Sequence, residues 1–403
     1  MINPFLLMAV FYLFVALLMA ADAALANFTL LPWFAGLPWL RVHFVTLGVL
    51  TETAFGVLPL LVAARQGAPR PATRWDLWLL LNAGLVILLA GIPSINAVWI
   101  ITGGTLIFAA VTLLLLQLRG LGAKGSAPKT GSLKFYVTAL MYLLLGILIG
   151  TGLWVGWSEP LRIGVPKEAH IHANSWGFAS LLFAGLLVDL LPQLTGAPLA
   201  PRRSIDAIFW GMTLGALGLV AGPWLGGMLA PTVAGLVLHI GATVWLVGAL
   251  VSSLRRHGLL ATAGGWHLVL SYTWILLPVL VAPLILAGVS GIPGADVEAT
   301  APQALIYGWM LQFMYAVAPY FLARWLLGER AARLGGNWLS LAAVNAGSAL
   351  IWVSIFLVAA RSQLQGLAYV LLGASLLVAA WQMGKIALAA LRQAEQKAEP
   401  LGV

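Results

Sequence analysis

Six histidines and one deeply placed glutamate are the residues of this 403-residue chain whose types and positions could do chemistry. His43, His170 and His172 open two long apolar stretches, and His239 lies about two turns inside a third. If those stretches are membrane spans, four of the six histidines share one depth and come from three helices. An ionisable side chain inside a span is costly and is a functional candidate by default. Imidazole is the commonest metal ligand and a frequent axial ligand of haem, and bundles build cofactor sites from side chains that face inward on neighbouring helices. We therefore expect His43, His170, His172 and His239 to be cofactor or metal ligands. The plainer alternative for each is an interfacial ring bonded to a carbonyl. On a helix, His170 and His172 point about 200° apart, so they face different neighbours unless the segment is extended. His257 follows Arg255 and Arg256 in a polar stretch and is expected to be solvated, and His267, beside Trp266, is expected at an interface.

Glu52 lies nine residues beyond His43, about 13 Å deeper on the same helix. Burial disfavours a free carboxylate there, so Glu52 is expected to be protonated or paired, for example with a Thr hydroxyl. A helix contact and a place on a proton path are both open to it. Asp189, near the end of its stretch, is expected to reach the headgroups and be solvated. Cysteine is absent. That excludes disulfides, thiolate zinc, iron–sulfur clusters and copper–thiolate centres, and leaves His, Met, Tyr or carboxylate to hold any metal.

The elements that must position these residues follow from composition. A soluble domain carries about 25% charged residues. This chain carries 8%, with 62% hydrophobic residues and a mean hydropathy of +0.99. It cannot cover a water-facing surface, which excludes a cytosolic enzyme, a nucleic-acid-binding domain and a disordered protein. Its apolar blocks are each long enough to cross about 30 Å of hydrocarbon as a helix. Twelve spans are expected, at 4–23, 41–63, 76–94, 97–118, 134–156, 170–191, 206–227, 232–254, 266–289, 303–325, 338–360 and 366–390. The first has no basic leader or small-residue cleavage motif and reads as a retained span. Residues 119–133 form a Gly/Lys/Ser linker, so the expectation is a single all-α membrane domain over 1–403.

The net charge of +9 reports topology. Seventeen of the 21 Lys and Arg, Lys129 and Arg330 among them, fall after even-numbered spans or in the C-terminal tail. Only Arg41, Arg162, Lys167 and Arg361 lie on the other side. Positive loops stay inside, so both termini are expected to be cytoplasmic. Trp33, Trp39, Trp75, Trp154, Trp157, Trp210, Trp224 and Trp266 sit toward span ends, as interfacial belts do.

A threefold pattern runs through the spans. The second begins His43-FVTL-Gly48 and continues to Gly56, the sixth begins His172-ANSW-Gly177 and continues to Gly185, and the tenth begins Gln303-ALIY-Gly308 and continues to Ala316. Each follows the frame polar-x4-Gly-x7-small, with starts 129 and 131 residues apart. Three pseudo-repeats of four helices follow, at about 1–130, 131–260 and 261–403. Small residues eight apart let a neighbouring helix or a flat ligand approach the backbone.

Twelve helices in three such repeats, with histidines near the outer side of the second and sixth spans, resemble subunit I of the haem–copper oxidase superfamily. The stretch from Arg41 through His43 to Pro59 is similar to that family's second-span haem-ligand helix. The stretch from His170 through His172 and Gly177 is similar to the helices of NnrS proteins, which are haem- and copper-containing membrane proteins linked to nitric oxide stress. The resemblance covers the whole chain in architecture and these two helices in motif. It implies haem b, with His43 and one of His170 and His172 as ligands and His239 next, and copper on the remaining His. It also implies a bacterial-type inner membrane and electron transfer or handling of a diatomic gas such as nitric oxide. The chain departs from the oxidases in the tenth span, which has Gln303, Tyr307, Met310 and Met314 but no His, and it lacks the paired His of the seventh span and the His–Tyr crosslink motif. Reduction of oxygen to water is therefore not expected.

Two other classes fit the composition. One is a cofactor-free secondary transporter, against which stand repeats running in one direction rather than inverted. The other is an accessory protein that delivers haem or copper through the same histidines. The bilayer is the one partner that composition names. A quinol or cytochrome c donor and a homo-oligomer both remain open, and no nucleic acid is expected.

Overall fold

In a lipid core every backbone N–H and C=O must find a partner within the chain, and helices satisfy that requirement locally. The structure, a computed structural model, describes residues 3–30, 38–124, 131–329 and 332–398, and no strand occurs among them. Trp33, Lys129 and Arg330 lie outside the described residues. Eleven helices are long and apolar enough to cross a membrane, and a twelfth apolar helix is shorter. They are α1 Pro4–Asn27, α2 Trp39–Arg65, α3 Trp75–Gly91 (the short one), α4 Ala97–Ala123, α5 Ser132–Val155, α6 Pro166–Thr195, α7 Arg202–Trp224, α8 Leu229–Arg256, α9 Ala263–Leu286, α10 Gly294–Leu326, α11 Trp338–Phe356 and α12 Val358–Gln396. Each expected span falls on one of them. This is the make-up of a polytopic membrane protein.

The ends of the helices have ordinary chemical causes. Asn3 caps α1 by accepting from the Phe5 N–H at 3.2 Å, with Pro4 at the first helical position. Asn337 and Ser340 form a reciprocal capping box at α11. Gly156 ends α5 with φ of 80° and Gly196 ends α6 with φ of 73°, left-handed positions where glycine carries no steric cost. Outward faces remain apolar: Val98, Val237, Leu339 and Trp381 are all exposed, as lipid contact requires.

The chain divides into two compact units, residues 1–56 with 254–403, and residues 57–253. In the first, α1 packs against α12 and the N-terminal part of α2, while α10 lies among α9, α11 and α12. In the second, α3 pairs with α4, α4 with α5, and α6 lies between α5 and α7.

Three helices differ from the rest. The apolar windows of α2, α6 and α10 are 89%, 78% and 100% buried, against 33–56% for the other eight long helices. Each of the three also contains a seven-residue π-helical segment: Phe44–Leu50, Ala173–Ala179 and Leu305–Leu311. Such segments are rare and occur frequently at functional sites. Each holds one glycine pressed on an aromatic ring of the first, fifth or ninth helix. A methyl group on Gly48 would lie 2.7 Å from Cγ of Tyr12, and one on Gly308 would lie 2.5 Å from Cγ of Trp274. Gly177 meets Tyr142 in the same way.

Candidate functional site

His43 is the last residue before the π segment of α2. Its Nδ1 lies 2.8 Å from the carbonyl oxygen of Trp39, one turn back. The Trp39 indole stacks on the imidazole, with centroids 4.1 Å apart and planes 24° from parallel. A carbonyl can only accept, so the proton belongs to Nδ1 and the lone pair to Nε2. That is the arrangement of a metal-ligating histidine, whose second nitrogen is oriented by a carbonyl or carboxylate.

His172 is the last residue before the π segment of α6. Its Nδ1 donates to the Leu219 carbonyl of α7 at 2.6 Å, which again leaves the lone pair on Nε2. His170 donates from Nδ1 to the Gly146 carbonyl of α5 at 2.8 Å. Its ring packs where a side chain on Gly150 would be, because a methyl there would lie 2.5 Å from the imidazole Cε1. The two histidines thus turn to different helices, as the helical alternative required. His170 is seated in a glycine groove, whereas His172 faces α7 within electrostatic reach of His239.

His239 on α8 is fully buried. Its Nε2 donates to the Trp176 carbonyl at 3.2 Å, and its Nδ1 accepts from the Thr243 hydroxyl at 3.2 Å. The Trp176 ring stands edge-on to it at 5.4 Å. With both nitrogens engaged, His239 in this arrangement offers no lone pair to a metal.

Glu52 follows the π segment of α2 and has no exposed surface. Tyr12 lies within its electrostatic reach. The hydroxyls that flank it serve their own helix: Thr51 donates to the Thr46 carbonyl at 2.9 Å and Thr53 to the Val49 carbonyl at 2.7 Å. Those protons are therefore not offered to Glu52.

Two expectations are corrected. Asp189 is not solvated. It is 1% exposed, bonded to Arg65 Nε at 3.0 Å and to the Tyr136 hydroxyl at 2.7 Å. Arg65 also donates to the Asp189 carbonyl at 2.6 Å. An arginine from the end of α2 thus reaches the carboxylate before water can. His267 is not interfacial either. It is buried on α9, with Nε2 3.0 Å from the Ser340 hydroxyl and the Tyr315 ring edge-on to it. His257 is exposed as expected.

The sequence left one cluster unread. Arg41 is buried, its guanidinium 5.0 Å over the Tyr369 ring, and the Tyr369 hydroxyl donates to Gln303 at 3.3 Å. The available signal was that Arg41 is one of only four basic residues on its side of the charge split.

Among the described residues, no three His, Asp or Glu side chains come together as metal ligands. A haem iron needs only one or two axial side chains, and His43 and His172 each have Nδ1 on a main-chain carbonyl. The fold defines a polytopic α-helical membrane protein. No family model matches the chain, and no match to it was found among curated proteins.

Proposed function

We propose that this chain is a haem-binding redox protein of the membrane, built like subunit I of the haem–copper oxidases and nearest the NnrS-like proteins, that transfers electrons or handles a diatomic gas such as nitric oxide. One observation carries the proposal: His43 and His172 each stand immediately before a π-helical segment, each with Nδ1–H held by a main-chain carbonyl, the tautomer and orientation that an axial histidine needs. Gln303 stands near the corresponding point of α10, two residues before its π segment. The seating of Gly48, Gly177 and Gly308 on Tyr12, Tyr142 and Trp274 supports three related four-helix units. The charge split supports an orientation with both termini cytoplasmic.

When bound, haem would supply one-electron chemistry and an iron that takes small diatomic ligands. The chain's own residues orient the two imidazoles, exclude water with the apolar walls of α2 and α6, and keep Glu52 as a buried group able to hold a proton about 13 Å along α2 from His43. The test is the absorption spectrum of the detergent-purified full-length protein. A Soret band with α and β bands that sharpen on reduction is the expected result. A colourless, metal-free preparation would overturn the proposal in favour of a cofactor-free transporter.

A further inference from the structure

The first unit contains a small cavity between α1, α2, α10 and α12. Leu13 and Val10 wall it from α1, Val49 from the π segment of α2, and Ala318 and Phe321 from α10, while Met383 closes it from α12. It admits the centre of a water-sized sphere over about 10 Å³, roughly the room of one very small molecule.

Water is a poor occupant. A buried water needs two to four polar partners, and the lining has two side-chain hydroxyls, both engaged elsewhere. Thr53 donates to the Val49 carbonyl at 2.7 Å, and the Tyr315 hydroxyl is bonded to that of Ser375 at 3.2 Å. Apolar cavities of this kind stay dry and take up apolar guests such as xenon. The size excludes lipid chains, quinones and any ring. We propose that the cavity is a binding site for a single apolar or weakly polar diatomic gas molecule, set against the π segment that follows His43 and one residue from Glu52. What the gas does there rests on the haem reading above, whereas its binding does not.

Xenon is the probe, applied under pressure to crystals of the full-length protein or followed by xenon NMR in detergent. The expected result is one xenon between Leu13 and Phe321 in the wild type. Its signal is lost in Ala318→Leu, which fills the cavity from α10, and in Ala9→Ile, which fills it from α1. Either variant suffices should the other fail to fold. Leu13→Ala should retain xenon with higher occupancy. No xenon in the wild type, or ordered water in its place, would overturn the proposal. Xenon binding by a protein that carries no haem would remove the redox reading and leave the gas site standing.

Discussion

At the scale of single residues, three imidazoles are fixed by one device: an Nδ1–H bond to a main-chain carbonyl, from Trp39 for His43, Gly146 for His170 and Leu219 for His172. His239 departs from it, with a carbonyl on Nε2 and a hydroxyl on Nδ1. The difference sets His239 apart as a residue that ties α8 to α6 with both ring nitrogens bonded. His239→Ala should therefore cost about 1–3 kcal/mol, because it strips Trp176 and Thr243 of their partner in a buried setting. It should leave bound cofactor per folded protein unchanged. Thermal unfolding and haem content measured on one preparation check both halves, and parallel loss of haem in stable protein would place His239 among the ligands. A bond to some carbonyl was open to each ring, but the long-range partners could not be read from the sequence, since Leu219 lies 47 positions from His172 and Trp176 lies 63 from His239. What could be read was that histidines open the second and sixth spans.

At the scale of elements, the π segments of α2, α6 and α10 set which face each helix shows. Gly48 allows Tyr12 to lie on the backbone of α2, with the nearest atoms being Cγ and Cβ at the stiff root of that side chain. Gly48→Ala should cost about 1–3 kcal/mol by overpacking, and Gly308→Ala, against Trp274 and Ser348, should cost a similar amount. Gly241→Ala on α8 meets nothing within 4 Å and should be neutral or stabilising through helix propensity. Unfolding in detergent ranks the three, and equal effects would mean that the glycines of the π segments are not close-packed.

The ends of α2 and α6 are joined by Arg65 and Asp189. Asp189→Asn leaves the guanidinium without its buried counter-charge and should cost about 3 kcal/mol. A loss below measurement error would mean that the pair is hydrated. The helices themselves were legible because block lengths and hydropathy report spans directly. The π segments were not, since a shift from four-residue to five-residue hydrogen bonding leaves the apolar pattern of a fully buried helix unchanged. Asp189 was misread because its partner lies 124 positions away, and His267 because Ser340 lies 73 positions away.

At the scale of the whole molecule, charge sets orientation and donor chemistry sets function. Seventeen of 21 basic residues lie on one side of the expected topology, so a reporter fused after Val403 should read cytoplasmic. An outward-reading fusion would place the His43 end of α2 on the inner side. The buried ion pair at Arg65, the capping box of α11 and the outward apolar faces suit any polytopic protein. The proposed redox cofactor rests on the imidazoles before the π segments. The most direct measurement is therefore haem per chain in purified wild type, His43→Ala and His172→Ala, by alkaline pyridine spectroscopy against protein mass. Haem in the wild type, falling by more than about half in at least one variant that still elutes as folded protein, is the expected result, since losing an axial ligand removes most of a site's metal affinity. Wild type without haem, or unchanged haem in both variants, would contradict it.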